Sequence, residues 1–238
     1  MILPLINEQP WEKVDHRTDG TLDVISVFPT IQGEGPYAGR PAVFVRLAGC
    51  TLTCPACDTL YTTGRERKPI VSLLEQIDYL TVGKALVVLT GGEPFRQNIL
   101  PLIDALTLEY GIQVQIETNG TIYLERFQTF YLVRRQWINV VCSPKTPSIH
   151  PRLRQCVDAL KYIVKAGEID SDGLPLTALG MPYKPMRPWK DFKGEVYVQP
   201  QDDKDELINK ANIDDAVQSC IKHGYRLSLQ SHKYLNLE

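Results

Sequence analysis

The sequence predicts an α/β protein of parallel strands and crossover helices, on three observations. Short runs rich in Val, Ile and aromatic residues recur along the chain, the composition of strands buried on both faces. Between them lie segments whose apolar residues return every three or four positions, as on one face of a helix. Turn signals separate the two kinds of segment. Parallel strands joined by right-handed crossovers curl into a full or partial barrel or spread as an open doubly wound sheet. In either case ligands sit at the carboxyl ends of the strands.

Taken in order, residues 1–22 carry little patterning and read as an N-terminal arm, either flexible or an added strand. Strands are expected over 23–28, 41–47, 85–89, 112–117, 137–142, 160–164, 196–199 and 225–229. Ile70, Val71, Leu74, Ile77 and Leu80 make one apolar helix face, and Ile99, Leu102, Ile103, Leu106 and Tyr110 make a second. A third stripe, through Leu207, Ile208, Ala211, Val217, Cys220 and Ile221, marks a last helix over 204–223, with Gly224 as its stop. Residues 167–194 hold Pro175, Pro182, Pro185 and Pro188 with little periodicity, so they read as a proline-rich insertion loop or lid and not as a linker between two cores. The chain, 1–238, is therefore one domain without internal repeats. Polar clusters at 90–94, 118–120, 143–146 and 199–202 each follow a strand and are expected to share one rim.

Composition narrows the function. The 238 residues are 43% hydrophobic and 23% charged, close to globular averages, which argues against disorder, collagen-like repeats and coiled coil. The 26 Lys and Arg against 28 Asp and Glu leave a net charge of −2, with no basic excess for nucleic acid. No apolar run approaches the roughly 18 residues of a membrane span, and Glu8, Glu12, Lys13 and Asp15 come too early for a signal peptide. A cytoplasmic protein that binds neither membrane nor nucleic acid is expected.

Of six cysteines, Cys50, Cys54 and Cys57 crowd onto one short loop, and a chain this large needs no disulfide staples. Metal ligation is the better reading. Three thiolates on a cubane cluster leave one iron open for substrate. A structural zinc site would want a fourth ligand, for which the chain offers Asp58 or the distant His150, His223 and His232. Cys142, Cys156 and Cys220 read as buried structural thiols.

The cysteine spacing, followed by Gly91-Gly92-Glu93 after the next strand, resembles the radical S-adenosylmethionine (SAM) superfamily, in which the open iron chelates the amino and carboxylate groups of SAM. The likeness narrows at Gln32-Gly33-Glu34-Gly35, Arg46-Leu47-Ala48-Gly49-Cys50 and Cys57-Asp58-Thr59, which resemble the 7-carboxy-7-deazaguanine synthase (QueE) family. Segments 90–94, 117–121, 143–145 and 230–233 agree with it. The resemblance implies a partial, TIM-like βα barrel and one three-cysteine 4Fe-4S cluster. It implies a lyase of queuosine and 7-deazapurine biosynthesis that converts 6-carboxy-5,6,7,8-tetrahydropterin to 7-carboxy-7-deazaguanine with loss of ammonia. SAM is regenerated, magnesium is required, and a homodimer and a flavodoxin- or ferredoxin-like electron donor are expected.

Site residues carry over position by position. Thr59 is the implied magnesium ligand, with a loop or capping threonine as the alternative. Ala56, Asp58, Gly92, Glu93, Glu117, Ser143, Pro144, Lys145 and Gln199 are implied to bind SAM, whose sulfonium, amine, carboxylate and hydroxyls suit such a mixed set. Asp58 alternatively caps a turn, and Glu117 is alternatively a rim carboxylate. Ile31, Gln32, Gly33, Glu34, Arg46, Thr90, His232 and the Glu238 main-chain carboxylate are implied to meet the pterin. Arg46 can grip the pterin carboxylate with two parallel hydrogen bonds; otherwise it is a surface strand residue in a salt bridge. His232 and Glu238 require the tail to fold back over the substrate, against a default of frayed ends.

Two features depart from the family pattern: some thirty residues precede Gln32 where the family commonly begins close before that motif, and 167–194 has no assignable motif. Two rivals share parts of the pattern. A radical SAM activase of a glycyl-radical enzyme would keep the cysteines and Gly-Gly-Glu yet have no use for Gln32, Glu34, Arg46 and Thr59. A non-catalytic metal-binding module would make the cysteines a structural knot.

Overall fold

The computed structural model of the chain describes residues 6–81 and 86–237. Its strands are β1 (Thr21–Ile31), β2 (Pro41–Leu47), β3 (Glu66–Pro69), β4 (Leu86–Gly91), β5 (Val114–Thr118), β6 (Ile138–Cys142), β7 (Ala159–Val164), β8 (Glu195–Pro200) and β9 (Arg226–Leu227). The helices are α1 (Ile70–Leu80), α2 (Leu100–Leu108), α3 (Phe127–Val133), α4 (Glu206–His223) and α5 (Ser231–Tyr234). The sheet runs β3-β1-β2-β4-β5-β6-β7-β8-β9, antiparallel across β3-β1-β2 and parallel from β2 onward. It is an open sheet, the partial barrel that the resemblance implied. No helix among the described residues is long and apolar enough to cross a membrane.

Strand alternation builds both the core and the site. Successive residues point to opposite faces, and Val43, Val45 and Leu47, Val87 and Leu89, Val114 and Ile116, and Leu160, Tyr162 and Val164 join the helix side chains in one buried cluster. The opposite face begins apolar at the strand starts, with Ala42, Leu86 and Val88. Toward the carboxyl ends the same alternating positions become Arg46, Thr90, Glu117, Lys161 and Gln199, which line the principal cavity.

Several expectations are corrected. Residues 21 and 22 belong to β1, with Leu22 in the core, and the described part of the arm touches the body through isolated bridges, not as a strand. The short β3 and α3 have no counterpart in the sequence reading. On α1, Leu73 is buried and Val71 exposed; Tyr110 lies beyond α2 and is also exposed. The greatest difference is α4, where Leu207 and Ile221 are 81% and 75% exposed while Asn212, Ala216 and Ser219 are buried. Asn212 docks this helix by accepting from Ala166 N and donating to Gln201 O, both at 2.8 Å, so polar contacts and not an apolar stripe orient it. Gly224 does stop it, in the left-handed conformation at φ 74°. Cys142 and Cys156 are buried, whereas Cys220 is only half-buried.

Candidate active site

The cysteine loop leaves β2 through Ala48 and Gly49, and the turn after β4 lies directly against its start. Gly92 N donates to Leu47 O at 3.2 Å and Glu93 N donates to Gly49 O at 2.9 Å. A Cβ on Gly92 would stand 1.9 Å from Gly49 O, so only glycine permits this approach. Glu93 is wholly buried. Its carboxylate accepts from Phe95 N (3.0 Å), Thr118 Oγ1 (2.7 Å) and Asn119 N (2.7 Å). Burial pushes its pKa up to about 7 against the pull of those hydrogen bonds. Asn119 extends the chain to the cysteines, its Nδ2 standing 3.9 Å from Cys50 Sγ and donating to Thr51 Oγ1 at 3.3 Å.

All three thiols line one wall of a cavity of about 570 Å³. Burial pushes Cys50 up to about 12 and Cys57 up to about 11, and raises Cys54 as well. Such thiols stay protonated near neutral pH unless a bound cation displaces the proton. Among the described residues no three His, Cys, Asp or Glu side chains converge on a single-ion site, so fitness for a cluster rests on the donor set: three thiols, one loop, one cavity. That set suits a three-cysteine iron–sulfur cluster. Lys145 lies beside it, buried, with Nζ donating to Ser143 O and Oγ at 2.8 and 2.5 Å, and burial lowers its pKa.

Across the cavity stands a charged knot. Lys161, 5% exposed, donates to Glu117 Oε2 at 2.9 Å and pairs with Glu34. Gln32 and Gln115 donate to Glu117 Oε1 at 3.1 and 2.8 Å. Burial alone would lower the Lys161 pKa; Glu117 and Glu34 raise it instead, and Lys161 outweighs burial to hold Glu34 low. Arg46, beside its register partner Thr90, forms no ion pair with any described residue; its guanidinium stands 5.7 Å over the Phe28 ring. The cavity thus offers one guanidinium without an ion pair among the described residues and a knot of two carboxylates around one ammonium.

The tail closes one side. Gln230 donates to Glu34 Oε1 at 2.8 Å, Ser231 N donates to Gly33 O at 3.2 Å, and Lys233 donates to Asp58 and Asp202 at 3.1 and 2.8 Å. A Cβ on Gly33 would lie 2.1 Å from His232 Nδ1. Burial lowers the His232 pKa, favouring the neutral ring. Tyr234 and Leu235 are exposed, so apolar packing on α4 does not hold this segment. Thr59 lines the cavity and donates to Asp58 Oδ1 at 3.3 Å.

Most residues singled out by sequence line this one cavity: Gln32, Glu34, Arg46, Thr90 and His232 from the substrate set, and Ala56, Asp58, Gly92, Glu117, Ser143, Lys145 and Gln199 from the SAM set. All four polar clusters contribute to its rim. Four residues do not line it. Ile31 sits half-buried at the end of β1, Gly33 lies behind His232, Pro144 is buried in its turn, and Glu93 ties two loops together beneath the wall. Glu238 falls outside the described residues. Sequence reasoning missed Lys161, although a lysine within the apolar run Ala159–Val164 was a usable signal. It also missed Leu179 of the proline-rich segment, which lines the cavity.

An open βα barrel that presents three thiols of one loop at the carboxyl ends of its strands is the architecture of a radical SAM enzyme. No protein-family model matches the sequence, but comparison with whole proteins does. It is 41% identical over 225 residues to a 7-carboxy-7-deazaguanine synthase of Rhodospirillum rubrum, covering 91% of this chain and 93% of that one. To the enzyme of the same name from Rickettsia prowazekii it is 35% identical over 232 residues, covering 92% and 91%. The crystal structure of QueE from Escherichia coli shares the fold, with a TM-score of 0.64 at 22% identity over 88% of this chain and 93% of that one. The chain belongs to the 7-carboxy-7-deazaguanine synthase family.

Proposed function

We propose that the chain contracts the ring of 6-carboxy-5,6,7,8-tetrahydropterin to 7-carboxy-7-deazaguanine with loss of ammonia, as a lyase of queuosine and 7-deazapurine biosynthesis. The observation that carries this reading is Arg46: a guanidinium without an ion-pair partner among the described residues, in the same cavity as the three thiols. A carboxylated substrate answers that charge, and a protein substrate would not need it. Cys50, Cys54 and Cys57 would hold the 4Fe-4S cluster, and Gly92, Glu117, Ser143, Lys145 and Gln199 would seat SAM. Bound, these two cofactors supply the one-electron chemistry that starts the reaction.

The chain's own residues do the remaining work. Arg46 orients the pterin through its carboxylate. Gln32, and Glu34 held ionised by Lys161, offer acceptors to the N–H edge of the ring. His232 and the tail cover the opening and exclude water from the radical. Thr59 would offer one hydroxyl to a bound magnesium ion, and because a lone hydroxyl cannot hold the ion, the substrate would have to supply further oxygens. Cytoplasmic location, a homodimer and a flavodoxin- or ferredoxin-like electron donor belong to the same reading, supported by the family.

Calorimetric titration with the carboxylated pterin tests it. Arg46→Ala is expected to weaken pterin binding by about 2 to 5 kcal/mol, the cost of leaving one partner of a buried charge pair unmatched, with SAM cleavage retained. Equal loss of SAM binding at intact cluster content would move Arg46 to the cofactor and remove the observation on which the reading stands.

A further inference from the structure

Two segments without any family motif converge on the cysteine loop. From the arm, Asn7 N donates to Pro55 O at 2.8 Å, Asn7 Nδ2 to Cys54 O at 3.0 Å, and Glu12 N to Cys50 O at 2.8 Å beside a Trp11–Cys50 bridge. Gln9 Nε2 donates to Thr59 O at 2.9 Å while its Oε1 accepts from Tyr61 N at 2.6 Å and Thr62 N at 3.1 Å. From the proline-rich segment, Leu179 O accepts from Ala56 N at 3.0 Å.

The arm's patterning is inverted. Asn7 and Gln9 turn inward and are half-buried, while Ile6 and Trp11 are 72% and 60% exposed. Burial of apolar surface therefore does not hold it in place; amide hydrogen bonds to the loop do. Those bonds take up the carbonyls of Cys50 and Thr59 and add a second donor to the Cys54 carbonyl, which already accepts from Cys57 N at 3.1 Å inside the loop. We infer that residues 7–12 form a strap that fixes the ligand loop, with Asn7 and Gln9 as positioning residues for the iron–sulfur cluster. This rests on the assignment of Cys50, Cys54 and Cys57 as cluster ligands. A loop held from behind keeps its sulfurs in place when a ligand bond breaks transiently, so the bond re-forms before iron escapes.

Iron release tests the strap independently of turnover. Asn7→Asp keeps the acceptor that binds Gln9 N and Gln9 Nε2 within the arm but replaces the donor to Cys54 O with an oxygen. Gln9→Leu removes the side chain's hydrogen bonds to Thr59, Tyr61 and Thr62 at similar volume. Each anaerobically reconstituted variant is expected to lose iron to a chelator about tenfold faster than wild type, the usual scale for an outer-shell partner. Cluster absorbance should also bleach faster in air, while the cluster-free proteins melt together with wild type. Wild-type iron release in both folded variants would overturn the strap. A lower melting temperature with unchanged iron release would reduce the arm to general stabilisation and overturn it equally. If wild type itself binds no iron or sulfide, the ligand assignment fails first and the strap falls with it.

Discussion

At the scale of single residues, the site is decided by charges that the fold buries in pairs and by one that it leaves free. Lys161 stands between Glu34 and Glu117, so Lys161→Met strands two half-buried carboxylates side by side. The loss should be about 3 to 5 kcal/mol in urea denaturation near pH 7. Adding Glu34→Gln should recover part of it, since the two changes share one network; simple additivity would show that the knot is not coupled. Glu93 yields a pH dependence. Its folded pKa, about 7, lies above the ordinary 4.5, so the folded state binds the extra proton and stability falls as pH rises from about 4.5 to about 7. At about 1.4 kcal/mol per pH unit this amounts to about 3 kcal/mol in the cluster-free protein. Glu93→Gln loses the acceptor for Asn119 N and is less stable at pH 5, but its stability should be flat across that window. A slope equal to wild type would assign the titration to another group. Gln32, Arg46 and the cysteines were legible because each stands inside a short local motif. Lys161 stood out only as a lysine in an apolar strand, and its pairing was not legible because its partners lie 127 and 44 positions away in sequence.

At the scale of elements, two glycines carry separate close approaches and can be separated experimentally. Gly92→Ala drives a methyl into Gly49 O at the root of the cysteine loop, whereas Gly33→Ala drives one into His232. The first variant should fail to assemble a full iron complement while the tail stays protected from protease. The second should assemble iron normally but expose residues 230–237 to early cleavage and weaken pterin binding. Matching defects in both variants would mean that the two contacts report only on general stability. The strands were legible because a parallel sheet buried on both faces reads as plain apolar runs. Element α4 misled because Leu207, Ile208 and Ile221 repeat at helical spacing yet face solvent, and the docking contact is made by Asn212, a residue that periodicity counts as polar. The edge strand β3, Glu66–Pro69, has no apolar signature to find.

At the scale of the whole molecule, the open barrel gathers one face's polar positions, the cysteine loop and the carboxyl-terminal segment around a single cavity. Alternation along parallel strands made the shared rim predictable, since ligand sites follow the carboxyl ends of such strands. The wrapping of the arm and the proline-rich segment onto the cysteine loop was not predictable, because backbone carbonyls leave no trace in side-chain pattern. This one cavity would join radical SAM chemistry to a carboxylated pterin. The most direct test is anaerobic incubation of the reconstituted protein with SAM, a reductant, magnesium and 6-carboxy-5,6,7,8-tetrahydropterin, with products followed by mass spectrometry. 7-carboxy-7-deazaguanine and ammonia should accumulate over many turnovers while SAM is recovered. Consumption of SAM at full cluster content with the pterin left unchanged would contradict this reading.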